Sequence, residues 1–100
     1  MLQTVHVVAI VSVAPENAPE LQEELARCLR DTQMEDGCIS YQISRDVEKE
    51  GRFTAVEQWI SRSAFETHLK TPHFQSLAAL LQRLDAQLEL MQLEPLEAAE

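Results

Sequence analysis

A chain of 100 residues with 8 Lys and Arg against 17 Asp and Glu, a formal net charge of −9, has room for one compact domain and no second. Its cations are scattered singly, so the counterion release that drives polyanion binding has no footprint, and nucleic acid is excluded as a partner. The longest apolar run, Val7 to Val11, is far too short for a bilayer, and no charged n-region leads an apolar h-region to a cleavage site; a cytoplasmic protein without a membrane partner is expected. Cys28 and Cys38 lack CxxC spacing and partner cysteines and read as small, half-buried apolar residues.

The β-branched stretch from Gln3 to Val13 predicts a first strand, with Val5, Val7, Ala9, Val11 and Val13 on one face and Val8 and Ile10 on the other. Ala14-Pro15-Glu16-Asn17 turns the chain. Pro19 suits the first position of an amphipathic helix in which Leu21, Leu25, Cys28 and Leu29 share a stripe that ends near Gln33. Gly37 opens a second strand, Cys38 to Arg45, where Ile39, Tyr41 and Ile43 alternate with Ser40, Gln42 and Ser44. A polar loop from Asp46 to Gly51 leads to a third strand, Arg52 to Ile60, with Phe53, Ala55, Glu57 and Trp59 on one face and Thr54, Val56, Gln58 and Ile60 on the other.

Ser61 or Ser63 caps the next helix, Ser63-x-x-Glu66 matching a capping box, and Ala64, Phe65, His68 and Leu69 share its inner face. Thr71-Pro72 breaks that helix and starts another, with Phe74, Leu77, Ala78 and Leu81 turned inward. Asp85 to Leu93 is a last strand by alternation, although its composition also suits a helix. Residues 1–94 then form the domain, and residues 95–100 an acidic tail.

The order β-α-β-β-α-β is the split βαβ, ferredoxin-like arrangement of the α+β class, with both helical segments on one sheet face. The other face stays bare. Val8 and Ile10, joined by members of the set Ile39, Tyr41, Ile43, Val56 and Ile60, make an apolar patch too large for a monomer to keep in water. A domain of this size buries only about 60–65% of its unfolded surface. A homodimer closed through the sheet faces is therefore expected.

Chemistry-bearing groups concentrate between Glu57 and Phe74. A carboxylate in mid-strand between Ala55 and Trp59 is anomalous, and the helix that follows folds back to bring His68 over it. Such a carboxylate can orient an imidazole and favour its charged form while apolar walls push the other way, leaving His68 poised as a general base with His73 beside it. The plainer alternatives are a hydrogen-bonded core histidine and ordinary core aromatics at Trp59, Phe53, Phe65 and Phe74. Glu57 could equally accept the N–H groups at the next helix start or pair with Arg52 or Arg62. Glu57, His68 and His73 could form a two-His, one-carboxylate set, but they lack a tight i, i+4 spacing and Pro72 intervenes, so no metal is expected. The sequence contains no GxGxxG, P-loop, GxSxG or HExxH motif, and Lys49 and Lys70 lie on polar stretches unsuited to a Schiff base.

At these residues the sequence resembles the antibiotic biosynthesis monooxygenase family. The resemblance is carried by Glu57-Gln58-Trp59 and by His68-Leu-Lys-Thr71-Pro72-His73-Phe74, with Asp36-Gly37-Cys38 following the family's E/D-x-G-C pattern before the second strand. It covers residues 3 to about 93 and is nearest to small bacterial quinol monooxygenases. The resemblance implies a dimeric α+β barrel and a cofactor-free oxygenase, with O2 as co-substrate and a quinol or polycyclic phenol as the small aromatic substrate. It implies His68 as base, Glu57 as its orienter, Trp59 as stacking wall and His73 as a secondary proton or hydrogen-bond group, with Phe53, Phe65, Phe74 and Tyr41 contacting substrate. Haem-degrading relatives use an Asn on the first strand, whereas the only Asn here is Asn17. A branch that isomerises a phosphorylated, signalling-sugar type of carbonyl substrate needs cations for the phosphate, with Arg45 and Arg52 the main candidates. The same fold also serves as a non-catalytic ligand-binding or stress-related dimer, which is the alternative function.

Overall fold

The computed structural model describes residues 4–99. It runs β1 (Val5–Ser12), a 3-10 turn (Pro15–Asn17), α1 (Ala18–Thr32), β2 (Cys38–Arg45), β3 (Arg52–Trp59), α2 (Arg62–Leu69), α3 (Pro72–Arg83) and β4 (Gln87–Leu93). The strands pair antiparallel in the order β2-β3-β1-β4, the ferredoxin-like α+β fold expected from the sequence. Gln3, where the first strand was expected to begin, lies outside the described residues.

Alternation in β1 decides which sheet face the helices cover. Val7, Ala9 and Val11 are buried, while Val8 and Ile10 on the opposite face are half-buried. Register carries the covered face across the sheet: Val7 pairs with Glu57 and Glu57 with Tyr41, Ala9 with Ala55 and Ala55 with Ile43, and Val11 with Phe53. Leu21, Leu25 and Cys28 of α1 close over it, as the helical stripe requires. Beneath the helices the core forms two clusters. One gathers Val11, Leu25, Phe53, Leu77 and Leu81; the other gathers Val7, Tyr41, Ala55, Trp59 and Phe65.

On the uncovered face, Val8 pairs with Val56 on one side and Met91 on the other, and His6 with Leu93. Val56 and Leu93 are about half exposed, at 53% and 48%. Tyr41 and Ile43, offered by the sequence for this face, belong instead to the covered one, since they pair with Glu57 and Ala55. Ile39 does not share their side: a register shift between Cys38 and Ser40 inserts it as an extra residue, and it is exposed.

Ser61 caps α2, its Oγ accepting from the Ala64 N–H at 3.1 Å. Thr71 ends one helix and starts the next. Its Oγ1 donates to the His68 carbonyl at 2.7 Å and accepts from the Phe74 N–H at 3.2 Å, with Pro72 at the first helical position. Asp85 takes a left-handed φ of 54° after α3, and the Ala86 N–H to Leu81 O and Asp85 N–H to Gln82 O bonds close a Schellman motif. That turn delays β4 to Gln87, two residues later than the sequence suggests.

Candidate active site

Glu57 projects from β3 beneath the helices and is 5% exposed. Its Oε1 accepts the indole Nε1–H of Trp59, two residues along the same strand face, at 3.0 Å. Two other partners suggested for Glu57 are engaged elsewhere: the Ala64 N–H at the start of α2 donates to Ser61 Oγ, and Arg52 pairs with Asp46 at 2.7 Å. Burial pushes the Glu57 carboxyl up to about 7, the Trp59 N–H pulls it down, and the negative charge of Glu35 adds to the rise.

His68 sits in the last turn of α2, 1% exposed, with its ring among those of four aromatic side chains besides the His73 imidazole. Ring centroids of Trp59, Phe74, Tyr41 and Phe65 lie 4.6, 5.1, 5.6 and 6.4 Å from it. Its hydrogen-bonded carboxylate is Glu35, not the Glu57 that the sequence suggested: His68 Nδ1 lies 2.7 Å from Glu35 Oε2. His73 Nε2 reaches the same oxygen, also at 2.7 Å. One carboxylate oxygen that accepts twice puts an N–H on each of those nitrogens, so neutral His68 keeps its lone pair on Nε2. Burial holds His68 below its ordinary range despite the opposing hydrogen bond and charge of Glu35, and His73 lowers it further. Burial also raises the Tyr41 phenol, and the Glu57 charge adds to it, so Tyr41 stays a neutral O–H.

Glu35 is the residue that the sequence did not single out. It lies in the turn between α1 and β2, held by its N–H to the Thr32 carbonyl at 3.0 Å and by the Cys38 N–H to its own carbonyl at 3.1 Å. A signal was present, because the acidic position of the E/D-x-G-C pattern falls on Glu35, with Asp36 as the x. The structure therefore brings Tyr41, Glu57, Trp59, Phe65, His68, His73 and Phe74 into one region, adds Glu35, and leaves Phe53 apart in the other core cluster. Phe53 instead lines an open groove of about 260 Å³ between α1 and the β2–β3 pair, with Leu25, Leu29, Ile43 and Arg45.

Residues 4–80 match the family model described as antibiotic biosynthesis monooxygenase. A Deinococcus radiodurans structure named as a candidate member of that group is 30% identical, with a TM-score of 0.85 over 96% of both chains. PA3566 from Pseudomonas aeruginosa is 28% identical, with a TM-score of 0.89 over 97% of this chain and 98% of that one. Rv0793 from Mycobacterium tuberculosis is 27% identical, with a TM-score of 0.86 over 98% and 100%. The uncharacterised Synechocystis protein sll1783 is 30% identical over 64 residues, 64% of this chain but only 44% of that longer relative. No helix among the described residues is long and apolar enough to cross a membrane.

Proposed function

Since the chain belongs to the antibiotic biosynthesis monooxygenase family, we propose that it oxygenates a quinol or polycyclic phenol with O2, without a resident cofactor and with His68 as the base. The observation that carries this reading is the 2.7 Å contact from Glu35 Oε2 to His68 Nδ1 inside a cage of four rings. It keeps the proton on Nδ1, so Nε2 is the nitrogen able to take one from a phenolic O–H. The Trp59, Phe65, Phe74 and Tyr41 rings supply the apolar surface on which an aromatic substrate stacks, with Phe53 in the neighbouring groove. Once deprotonated, the electron-rich ring reduces O2 itself: a quinol gives up four electrons, one oxygen atom enters the product as a hydroxyquinone and the other leaves as water. Atoms and electrons balance without an outside reductant.

Glu57 then has a different duty from the orienting one first given to it. With its carboxyl near 7 it can take or return a proton at the working pH, with Trp59 fixing its position, while Glu35 orients His68 and His73. We assign the active form to a cytoplasmic homodimer closed over the sheet face that carries Val8, Val56, Met91 and Leu93. Incubation of the purified chain with a reduced naphthoquinone under oxygen-18 gas tests the reaction. One labelled oxygen in the product, at a rate above the autoxidation blank, is expected. Oxygen uptake equal to the blank would leave the binding-module alternative in its place.

A further inference from the structure

We propose that Glu35, His68 and His73 form a binding site for a single divalent transition metal ion of the zinc class. The three donor atoms, one from each residue, all lie within 4.8 Å of one another. They come from three separate elements, the α1–β2 turn, the end of α2 and the start of α3, and they converge on one point. Donors bound at about 2.0–2.1 Å to a tetrahedral zinc sit about 3.3 Å apart. Each nitrogen here is 2.7 Å from Glu35 Oε2 within a set that spans 4.8 Å, so the ion is admitted when the Glu35 oxygen draws back and the two nitrogens close toward each other.

Two imidazoles and one carboxylate suit borderline cations such as Zn2+ and Co2+ better than Mg2+ or Ca2+, which prefer oxygen alone. Three protein ligands also leave a coordination position open for water. Access is present on one side: the side chains of His73 and Glu35 are 18% and 13% exposed, while His68 is closed in by aromatic rings. His68 occupies the last turn of α2, where helix carbonyls favour positive charge.

The ion takes the place of the two N–H protons that face Glu35, and on each neutral imidazole that proton moves to the other ring nitrogen. Coordination at Nδ1 sends the His68 proton to Nε2 and so removes the lone pair that the oxygenation proposed above requires. Metal occupancy and turnover exclude each other on this chemistry, but the site itself stands on donor geometry and does not need the chain to be an oxygenase.

Titration of the full, chelator-treated chain with Zn2+ by calorimetry, and with Co2+ by visible absorption, tests the site without any substrate. One equivalent of Zn2+ and a ligand-field band from Co2+ are expected. His73→Ala and Glu35→Gln should each weaken Zn2+ binding by at least about tenfold, since each removes or neutralises one of three ligands. Both positions are partly exposed, and far-UV circular dichroism checks that each variant keeps its fold. Absence of the Co2+ band, or Zn2+ binding that is unchanged in both folded variants, overturns the proposal. Quinol turnover is measured separately, so a chain that binds the ion but oxidises nothing refutes the oxygenase reading alone.

Discussion

Oε2 of Glu35 stands 2.7 Å from Nδ1 of His68 and 2.7 Å from Nε2 of His73, one oxygen serving two imidazoles. The proposed base is therefore set by a turn residue 33 positions earlier in the chain. His68→Ala should lower kcat for a reduced naphthoquinone by about 100- to 10,000-fold, the usual worth of a positioned base. Glu35→Gln retains an oxygen but weakens its hold on the rings, and should cost less. Oxygen-electrode rates, with thermal melts as a fold control, check both; unchanged rates in folded His68→Ala would remove it from the reaction.

Glu57 makes stability depend on pH in a defined direction. Its carboxyl is raised to about 7 in the folded chain against an ordinary value of 4.5. The folded state then holds the proton more tightly than the unfolded state, so stability falls as pH rises from about 4.5 through about 7 and levels off above. The full effect is on the order of 3 kcal/mol. Urea midpoints at pH 5 and pH 8 should differ in that sense, and Glu57→Gln should remove most of the difference. A wild-type midpoint that rises across the same interval contradicts the assignment.

Trp59→Phe keeps a ring against His68 but deletes the indole N–H that donates to Glu57. A buried acceptor left alone costs about 1–3 kcal/mol. The loss should shrink when Glu57→Gln is made in the same chain, and a double-mutant cycle in urea measures that coupling.

Much of this arrangement was legible in the residues. Alternation of Phe53, Ala55, Glu57 and Trp59 fixed one strand face, and Thr71-Pro72 marked the helix break, because both signals are local. Ile39 escaped because a bulge breaks the period of two without leaving a residue-type signature. The Glu35 contact escaped for a different reason. A turn acid between a helix and a strand looks solvated, and only the docking of two later helices reveals which imidazoles it meets. Residue type alone groups Phe53 with the other aromatics, although strand rise separates it from Trp59 by about 20 Å.

Gly37 approaches α2 so closely that a Cβ there would collide with Cβ of Ala64. Gly37→Ala must push α2 away from the start of β2, and His68 with it. A loss of about 1–3 kcal/mol is expected from such overpacking. Oxygen uptake should fall further than stability predicts, because Glu35 lies on the fixed side of that contact and His68 on the moving side.

Sedimentation should give about twice the 11.3 kDa chain mass. Val56→Lys puts a charge in the middle of the uncovered face and should yield a lone subunit. A wild-type monomer at micromolar concentration would refute the face-to-face closure.

The interruption at Thr71-Pro72 has a geometric consequence. Along an unbroken helix, positions five apart point about 140° away from each other, so His68 and His73 would look in divergent directions. Splitting the segment into pieces of 8 and 12 residues lets both rings turn to a common centre, yet neither piece is long enough to persist in water by itself. Their convergence lasts only while each piece remains docked on the sheet. Local melting of either piece would separate His68 from His73, and since Phe65, Leu77 and Leu81 also belong to the core, activity should be lost no later than the fold.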